Sequence, residues 1–457
     1  MKTKNVQHIL PQLFSAMMLL TLLTGVSSST ANADNWPAWM GAQRDGVYRE
    51  TGIVDSIPES GLKVKWRMPI SAGYAGPAVA DGKVIVFDYV KSDGEVKNDP
   101  GTRVELKGSE RITAMSAATG ETIWQKSYDC PYSISYPAGP RCTPTINDDH
   151  VYTLGAEGDL QCRSMSDGEV VWKIGLKDKF NAEILIWGQS SHPLVDGDLL
   201  YTMVGGNGQG IVALNKMTGE VVWKALDAAA GYCPPSIIEA GGVRQLIAFH
   251  PTGVTSLNPE TGEKYWEHEL TPLYQMSIAR PMIDGNMLYA SGIRNVSLMM
   301  ELDTEKPGAT ELWRGSPKSS IFSANATPLF VNGTLYGSDC VMGSLIAVDG
   351  KTGERLWQTF EATRPSENRK VNHGTGFVTR IGDTDRYFIF NEVGDLVMAK
   401  MTPEKFESLG RFHVLEPTGE AFGRDVVWSH PAYAEKTLFA RNDKEIVAVD
   451  LAKPLAE

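Results

Sequence analysis

An all-β fold is predicted for this chain: an eight-bladed β-propeller of four-stranded antiparallel blades, closed by pairing of its N- and C-terminal strands. Three features predict it. A turn motif recurs, a second turn signal recurs in step with it, and the chain ends carry complementary parts of one blade. The motif is Thr-Gly-Glu with a Trp three residues on, as in Thr119-Gly120-Glu121 with Trp124, Thr218-Gly219-Glu220 with Trp223, Thr261-Gly262-Glu263 with Trp266 and Thr352-Gly353-Glu354 with Trp357. Asp167-Gly168-Glu169 with Trp172 is a looser copy, and Glu311-Leu312-Trp313 follows a longer, degenerate turn. Repetition at roughly 40–50 residues means stacked supersecondary units that bury their faces against one another.

The second signal is a hairpin turn, at Asp81-Gly82, Asp148-Asp149, Asp196-Gly197, Gly241-Gly242, Asp284-Gly285, Asn332-Gly333, Gly382-Asp383 and Glu435-Lys436. Each leads into an aliphatic strand such as Val84-Ile85-Val86. That makes eight blades. A proline stands shortly before the turn at Pro77, Pro144, Pro193, Pro281, Pro328 and Pro431. Proline is tolerated where a strand begins, so it marks entry to the innermost strand, A. Strand B follows the hairpin turn, a loop leads to C, and Thr-Gly-Glu joins C to D. The glycine of that turn takes a positive φ. Trp66, Trp124, Trp172, Trp223, Trp266, Trp313 and Trp357 on the D strands are expected to pack on neighbouring blades. Val64 to Met68 reads as a strand D with nothing before it, and Ile446 to Asp450 as a strand C with nothing after it. Their pairing would close the ring and remove its open edges.

The remaining segments are assigned around that ring. Residues 1–33 read as a signal peptide, with Lys2 and Lys4, an apolar stretch over residues 14–26 and a small-residue site at Ala31-Asn32-Ala33. The protein is expected to be exported, periplasmic or extracellular, after cleavage near Ala33. The apolar run is too short to span a membrane comfortably. The first cysteine is Cys130, so a lipid anchor is not expected. Residues 34–59 form an N-terminal arm anchored by Trp36 and Trp39, and residues 60–457 the propeller. A net charge of −12 excludes nucleic acid as a partner and gives no sign of attraction to anionic membranes. Five cysteines are an odd set for an exported chain, and most are expected to be buried thiols. Cys130 and Cys142 are near enough in sequence to bridge a loop, whereas Cys142 and Cys233 occupy equivalent positions two blades apart.

Ala213-Leu214-Asn215, Thr218-Gly219-Glu220 and Trp223 together resemble the tryptophan-docking repeat of the pyrroloquinoline quinone (PQQ)-like eight-bladed propellers. That superfamily includes the quinoprotein alcohol dehydrogenases and the propeller lipoprotein of the outer-membrane β-barrel assembly machinery. The resemblance runs over about residues 60–452. Trp36-Pro37-Ala38-Trp39-Met40-Gly41, Arg44-Asp45-Gly46, Trp187-Gly188, His192-Pro193 and Trp428-Ser429-His430-Pro431 are most similar to exported bacterial PQQ-like repeat proteins without an assigned reaction. The resemblance implies the propeller, and it brings PQQ and calcium into question. The dehydrogenases place two adjacent cysteines over the cofactor, and no two of the five cysteines here adjoin. Their calcium ligands, a Glu, an Asn and an Asp, find no matching motif here.

The A–B and C–D turns are short and repetitive, whereas the D–A and B–C loops vary and open on the opposite face. Residues 89–110, 175–190, 360–372 and 413–427 are such loops, and binding residues tend to sit on them. Candidate ligand-binding residues at the channel mouth are Arg141, His192, Tyr232, Arg280, Asn325, His373 and His430 before the A strands. His250, Arg294, Asp339 and Glu392 join them from the B–C corners. No His-x-x-x-His or Cys-x-x-Cys spacing supports a metal, and no catalytic residue is assigned. The expected function is binding of a protein, peptide or glycan at the loop-rich face by a monomer. The alternative is a quinoprotein-type oxidoreductase using PQQ and calcium on an alcohol or sugar.

Overall fold

Proline places every inner strand it was expected to place. In the computed structural model, which describes residues 1–2, 35–364 and 370–454, strands begin at Ala78, Thr145, Leu194, Met282, Leu329 and Ala432, each directly after its proline. Residues Ala33–Glu457 form one unit. The predicted leader, beyond its first two residues, lies outside the described residues. Eight antiparallel sheets follow one another around the ring. Blades 1 to 7 span residues 78–129, 145–175, 194–225, 236–269, 282–314, 329–359 and 376–413. Blade 8 takes three strands from residues 432–450, and its outermost strand is Val64–Pro69, antiparallel to Glu445–Asp450 with Trp66 opposite Ala448. The ring is therefore closed by its two ends. Helix is confined, among the described residues, to Leu176–Phe180 and a single turn at Leu273–Gln275.

The D-strand tryptophans join blade to blade. The indole N–H of Trp124 donates to Met165 O at 3.1 Å, that of Trp172 to Lys216 O at 2.8 Å, and that of Trp223 to Pro259 O at 3.0 Å, each carbonyl lying in the next blade. Trp66, Trp313 and Trp357 bond Ala117 O, Gly350 O and Thr402 O in the same way. The Thr-Gly-Glu glycine lies flat on the preceding blade's indole. A Cβ on Gly168 would fall 2.5 Å from the Trp124 ring, and φ there is +74°. Trp266 departs from the pattern. The turn facing it is the degenerate one at residues 303–308, and its indole N–H turns back to Gln245 Oε1 in its own blade at 2.8 Å.

Two stretches expected as irregular loops are more ordered. Strands Lys83–Asp93 and Val104–Ser116 of blade 1 run deep into residues 89–110, because alternation buries Leu106 against Tyr132 and Ile134. Residues 413–427 contain a hairpin, Gly419–Ala421 with Arg424–Val426, turning at Phe422 and Gly423 with both φ positive.

The arm fills the channel instead of lying over it. Trp36 pairs with Val79 of blade 1, and Ile146 N–H of blade 2 donates to Pro37 O. Val47–Tyr48 adds a parallel strand to Gly376–Ile381 of blade 7. Between these points Arg44 is buried, its guanidinium on Pro193 O at 2.6 Å and on Pro235 O. Arg280 in turn donates to Arg44 O. Arg44 has no carboxylate partner among the described residues, and burial, then the Arg280 charge, pull its pKa down to about 9.

All five cysteines are buried free thiols, so neither considered pairing forms.

The indole–glycine contact can be isolated by comparing two glycines at positive φ. Nothing lies near the Cβ position of Gly197, whereas Trp124 blocks that of Gly168. Thermal and urea unfolding should show Gly197→Ala costing about 1 kcal/mol and Gly168→Ala about 2 kcal/mol more. Equal losses would show that indole docking does not constrain the turn.

Candidate functional site

At the loop-rich end, above the arm, the channel widens into a cavity of about 1110 Å³. Of the residues expected at the mouth, Arg141, His192, Tyr232, Arg294, Asn325, His373 and His430 line it. His250, Arg280, Asp339 and Glu392 do not. His250 is buried in the blade 4 corner between Thr255 Oγ1 at 2.8 Å and Thr252 Oγ1 at 3.0 Å. Arg280 is turned down onto the arm. Asp339 is fully buried and accepts from the N–H groups of Phe322, Val341 and Met342. Glu392 is fully buried on Arg364 at 2.6 Å and Arg424 at 3.0 Å. At these three B–C corners the polar group is taken up within the protein, by backbone N–H groups at Asp339, by arginines at Glu392 and by threonine hydroxyls at His250.

The floor comes from the arm. Trp39 stacks on His192, centroids 5.0 Å and planes 13° apart, and meets His430 edge-on at 5.6 Å. His192 Nδ1 accepts Thr143 N–H at 2.9 Å, so its proton resides on Nε2. That Nε2–H has no acceptor among the described residues. Trp39 Nε1–H is likewise buried without an acceptor. The walls are aromatic. Trp187 packs beside Tyr232 at 5.7 Å, Trp428 beside Tyr136 at 6.1 Å, and Phe422 stacks on His373 at 4.9 Å and 6°. Arg141 is held by the carbonyls of Trp187, Gly139, Ser135 and Tyr136, with its guanidinium 5.2 Å from the Tyr74 ring centre.

Two properties set this cavity apart. Among the described residues its lining includes Arg141, Arg294 and Lys370 and no aspartate or glutamate. It also gathers left-handed backbone at non-glycine residues: Tyr136, Tyr274, Gln275, Arg294, Asn295, His373 and Phe422 all have φ between +50° and +65°. Each such residue costs about 1–2 kcal/mol. Tyr274 and Phe422 are also the two aromatics among the exposed large apolar side chains of the described residues. Sequence reasoning missed them, and it quoted Trp39, Trp187 and Trp428 as motif residues without placing them at the site. Their signal was there, since Trp187 and Trp428 stand just before His192 and His430.

The histidines are neutral. Burial, then the Arg44 charge, drives His192 well below the ordinary histidine range. Burial takes His430 to about 3, and burial with Arg424 and Arg294 takes His373 to about 4. The most displaced carboxyl, Glu110, is raised to about 7 by burial, but it is sealed between blades 1 and 2 on Tyr128, Tyr132 and Ala156 N–H. It is not part of the cavity.

Calcium takes about six to eight oxygen ligands in which carboxylates are prominent. This lining offers none, and Asp339 and Glu392 are spent on backbone and arginine. Among the described residues no three His, Cys, Asp or Glu side chains converge on a metal position. The donor set does not fit calcium-bound PQQ.

The closed ring, the indole docking and the repeat spacing define a PQQ-like propeller. The chain belongs to the family described as outer membrane protein assembly factor BamB, whose sequence profile matches residues 108–359. No curated protein matches the sequence. Among solved structures, BamB from Moraxella catarrhalis is similar, with a TM-score of 0.55 at 15% identity over 87% of this chain and 99% of that one. A quinohemoprotein alcohol dehydrogenase from Comamonas testosteroni has a TM-score of 0.58 at 12% identity, covering 93% of this chain and 81% of its own. A europium-containing methanol dehydrogenase gives 0.58 at 13% identity, covering 91% and 89%. These likenesses are of fold.

The depressed histidines have a consequence for stability. Between about pH 6.5 and 4 the unfolded chain protonates these residues while the folded cavity does not. Their contribution is present above pH 6.5 and is lost as pH falls. The melting temperature of His373→Gln should therefore drop less than that of the parent on acidification through this window, and parallel curves would refute the buried, neutral state.

Proposed function

We propose that this protein is exported and acts as a binding or scaffold propeller, holding a protein, peptide or glycan segment at its loop-rich face without transforming it. The observation that carries the reading is a preformed aromatic cavity whose backbone is held in costly conformations and whose polar groups lack an acid–base pair. General acid–base chemistry needs a group that exchanges protons near working pH. Histidines held at about 3 and 4 do not, and among the described residues the lining has no carboxyl to share the task. Binding needs only shape, apolar surface and a few fixed polar groups, all of which are there. Membership in the BamB family agrees with a binding role. The rival, a quinoprotein-type oxidoreductase, has fold similarity behind it but no donor set for calcium.

Two parallel assays test the proposal. Purified protein is applied to glycan and peptide arrays, and is separately incubated with PQQ and calcium and assayed for dye reduction with alcohols and sugars. Saturable array binding without dye reduction is expected. Cofactor-dependent turnover would overturn it.

A further inference from the structure

We propose that the cavity recognises a carboxylate-bearing oligosaccharide, a uronate oligomer, with Arg294 and the floor N–H groups taking the acid and the aromatic walls taking the sugar rings. This rests on the binding role proposed above and specifies its ligand.

Charge supplies the first step. The chain carries a net −12, yet among the described residues the cavity wall holds Arg141, Arg294 and Lys370 and no acidic side chain. Beneath the floor, Arg44 and Arg280 are both buried and are bonded to carbonyl oxygens without an ion-pair partner among the described residues. Cations of one sign in low-dielectric walls focus a positive potential into the opening. Arg294 carries that field to the surface. It is exposed, sits on left-handed backbone (φ 65°), and makes no hydrogen bond or ion pair with the described residues. Its neighbour Asn295 has φ 61°.

The floor supplies the second step. His192 lines the cavity and its Nε2–H has no acceptor among the described residues, and Trp39 Nε1–H beside it is buried and unpaired. A buried donor left unpaired costs about 1–3 kcal/mol. A group that only accepts, such as a carboxylate, answers them best.

Shape and surface select the carrier. A volume of about 1110 Å³, just above the upper end of the roughly 300–1,000 Å³ usual for one small molecule, leaves room for an oligomer. Tyr274 and Phe422 are exposed aromatic side chains in the lining, and Asn295 and Asn325 offer neutral amides for hydroxyl groups. A peptide would favour a free strand edge. On the inner strands the arm already occupies such positions, at Val79 and along Gly376–Ile381.

The test is calorimetric titration of the purified protein with a short oligogalacturonate, a neutral oligogalactan of equal length and an oligoglutamate peptide. The oligogalacturonate should bind, with the other two at least about tenfold weaker, and affinity should fall as salt rises. Arg294→Gln and Phe422→Ala should each weaken it about tenfold or more, and Arg294→Gln should leave the melting temperature unchanged, since that side chain is exposed. Equal affinity for the neutral glycan, or indifference to Arg294→Gln, overturns the carboxylate assignment and leaves the binding role standing. Preference for oligoglutamate overturns the glycan. No binding of any probe here, with array binding at the same face, overturns this inference alone. Silence in both assays removes both.

Discussion

One contact repeats around this molecule and everything else is positioned by it: an indole lying on the glycine of the next blade's turn, its N–H on a carbonyl of that blade. The contact is directional, since the donor on Trp172 must find Lys216 O while its ring covers Gly219. It therefore sets the rotation between blades as well as their spacing. Blade 4 shows what happens where the partner turn is lost. Trp266 remains buried but bonds Gln245 in its own sheet, and the longer turn at residues 303–308 packs instead against the backbone at Gly241. Blade 7 lacks the indole altogether, since its outer strand Phe406–His413 has no Trp, so two of the eight junctions do without this contact while the other six keep it.

A ring of this size leaves an axial opening lined by inner-strand edges. Unpaired backbone there would carry a desolvation cost on folding. The arm resolves this by adding a bridge at Val79 and a strand at Gly376–Ile381, and by sending Arg44 to the carbonyls between. An arginine suits the position because its guanidinium has five donors and no acceptor. Filling the channel from within also creates the site, since Trp39 closes the bottom of what would otherwise be a passage. Structure and function share the same short segment.

The repeat, the inner-strand prolines and the closing strand were legible because each is a local signal repeated many times. The arm's path was not, because residues 36–48 have no periodicity and their strand partners lie 43 to 333 positions away. Site residues divide along the same line. Positions just before the proline of an inner strand point to the axis, which is why His192 and His430 were recoverable. Arg280 occupies the equivalent place, but the arm offers it a carbonyl. The B–C corners mislead for another reason: Asp339 is claimed by the N–H groups of Val341 and Met342 in its own turn and Glu392 by Arg364 and Arg424, so neither is left for a ligand. Tyr274 and Phe422 left no trace, because an aromatic on left-handed backbone is a property of the loop's fold and not of its composition.

Left-handed backbone also occurs singly or in pairs at the A–B turns, at Asp81, Asp148, Asn332, Glu435 and Lys436 as well as at Gly82, Gly242 and Gly333, but only the cavity gathers seven such non-glycine residues around one volume. Around the cavity the same conformations are held by tyrosine, glutamine, arginine, asparagine, histidine and phenylalanine, whose side chains thereby face one volume. The stacked pair His373 and Phe422 is braced from behind by Arg424, and Arg424 by the buried Glu392. The carboxylate absent from the cavity is thus present one layer out, where its charge organises the wall without cancelling the field inside. A lining with cations at the surface and acids withdrawn behind it is built to receive an anion and hold it still.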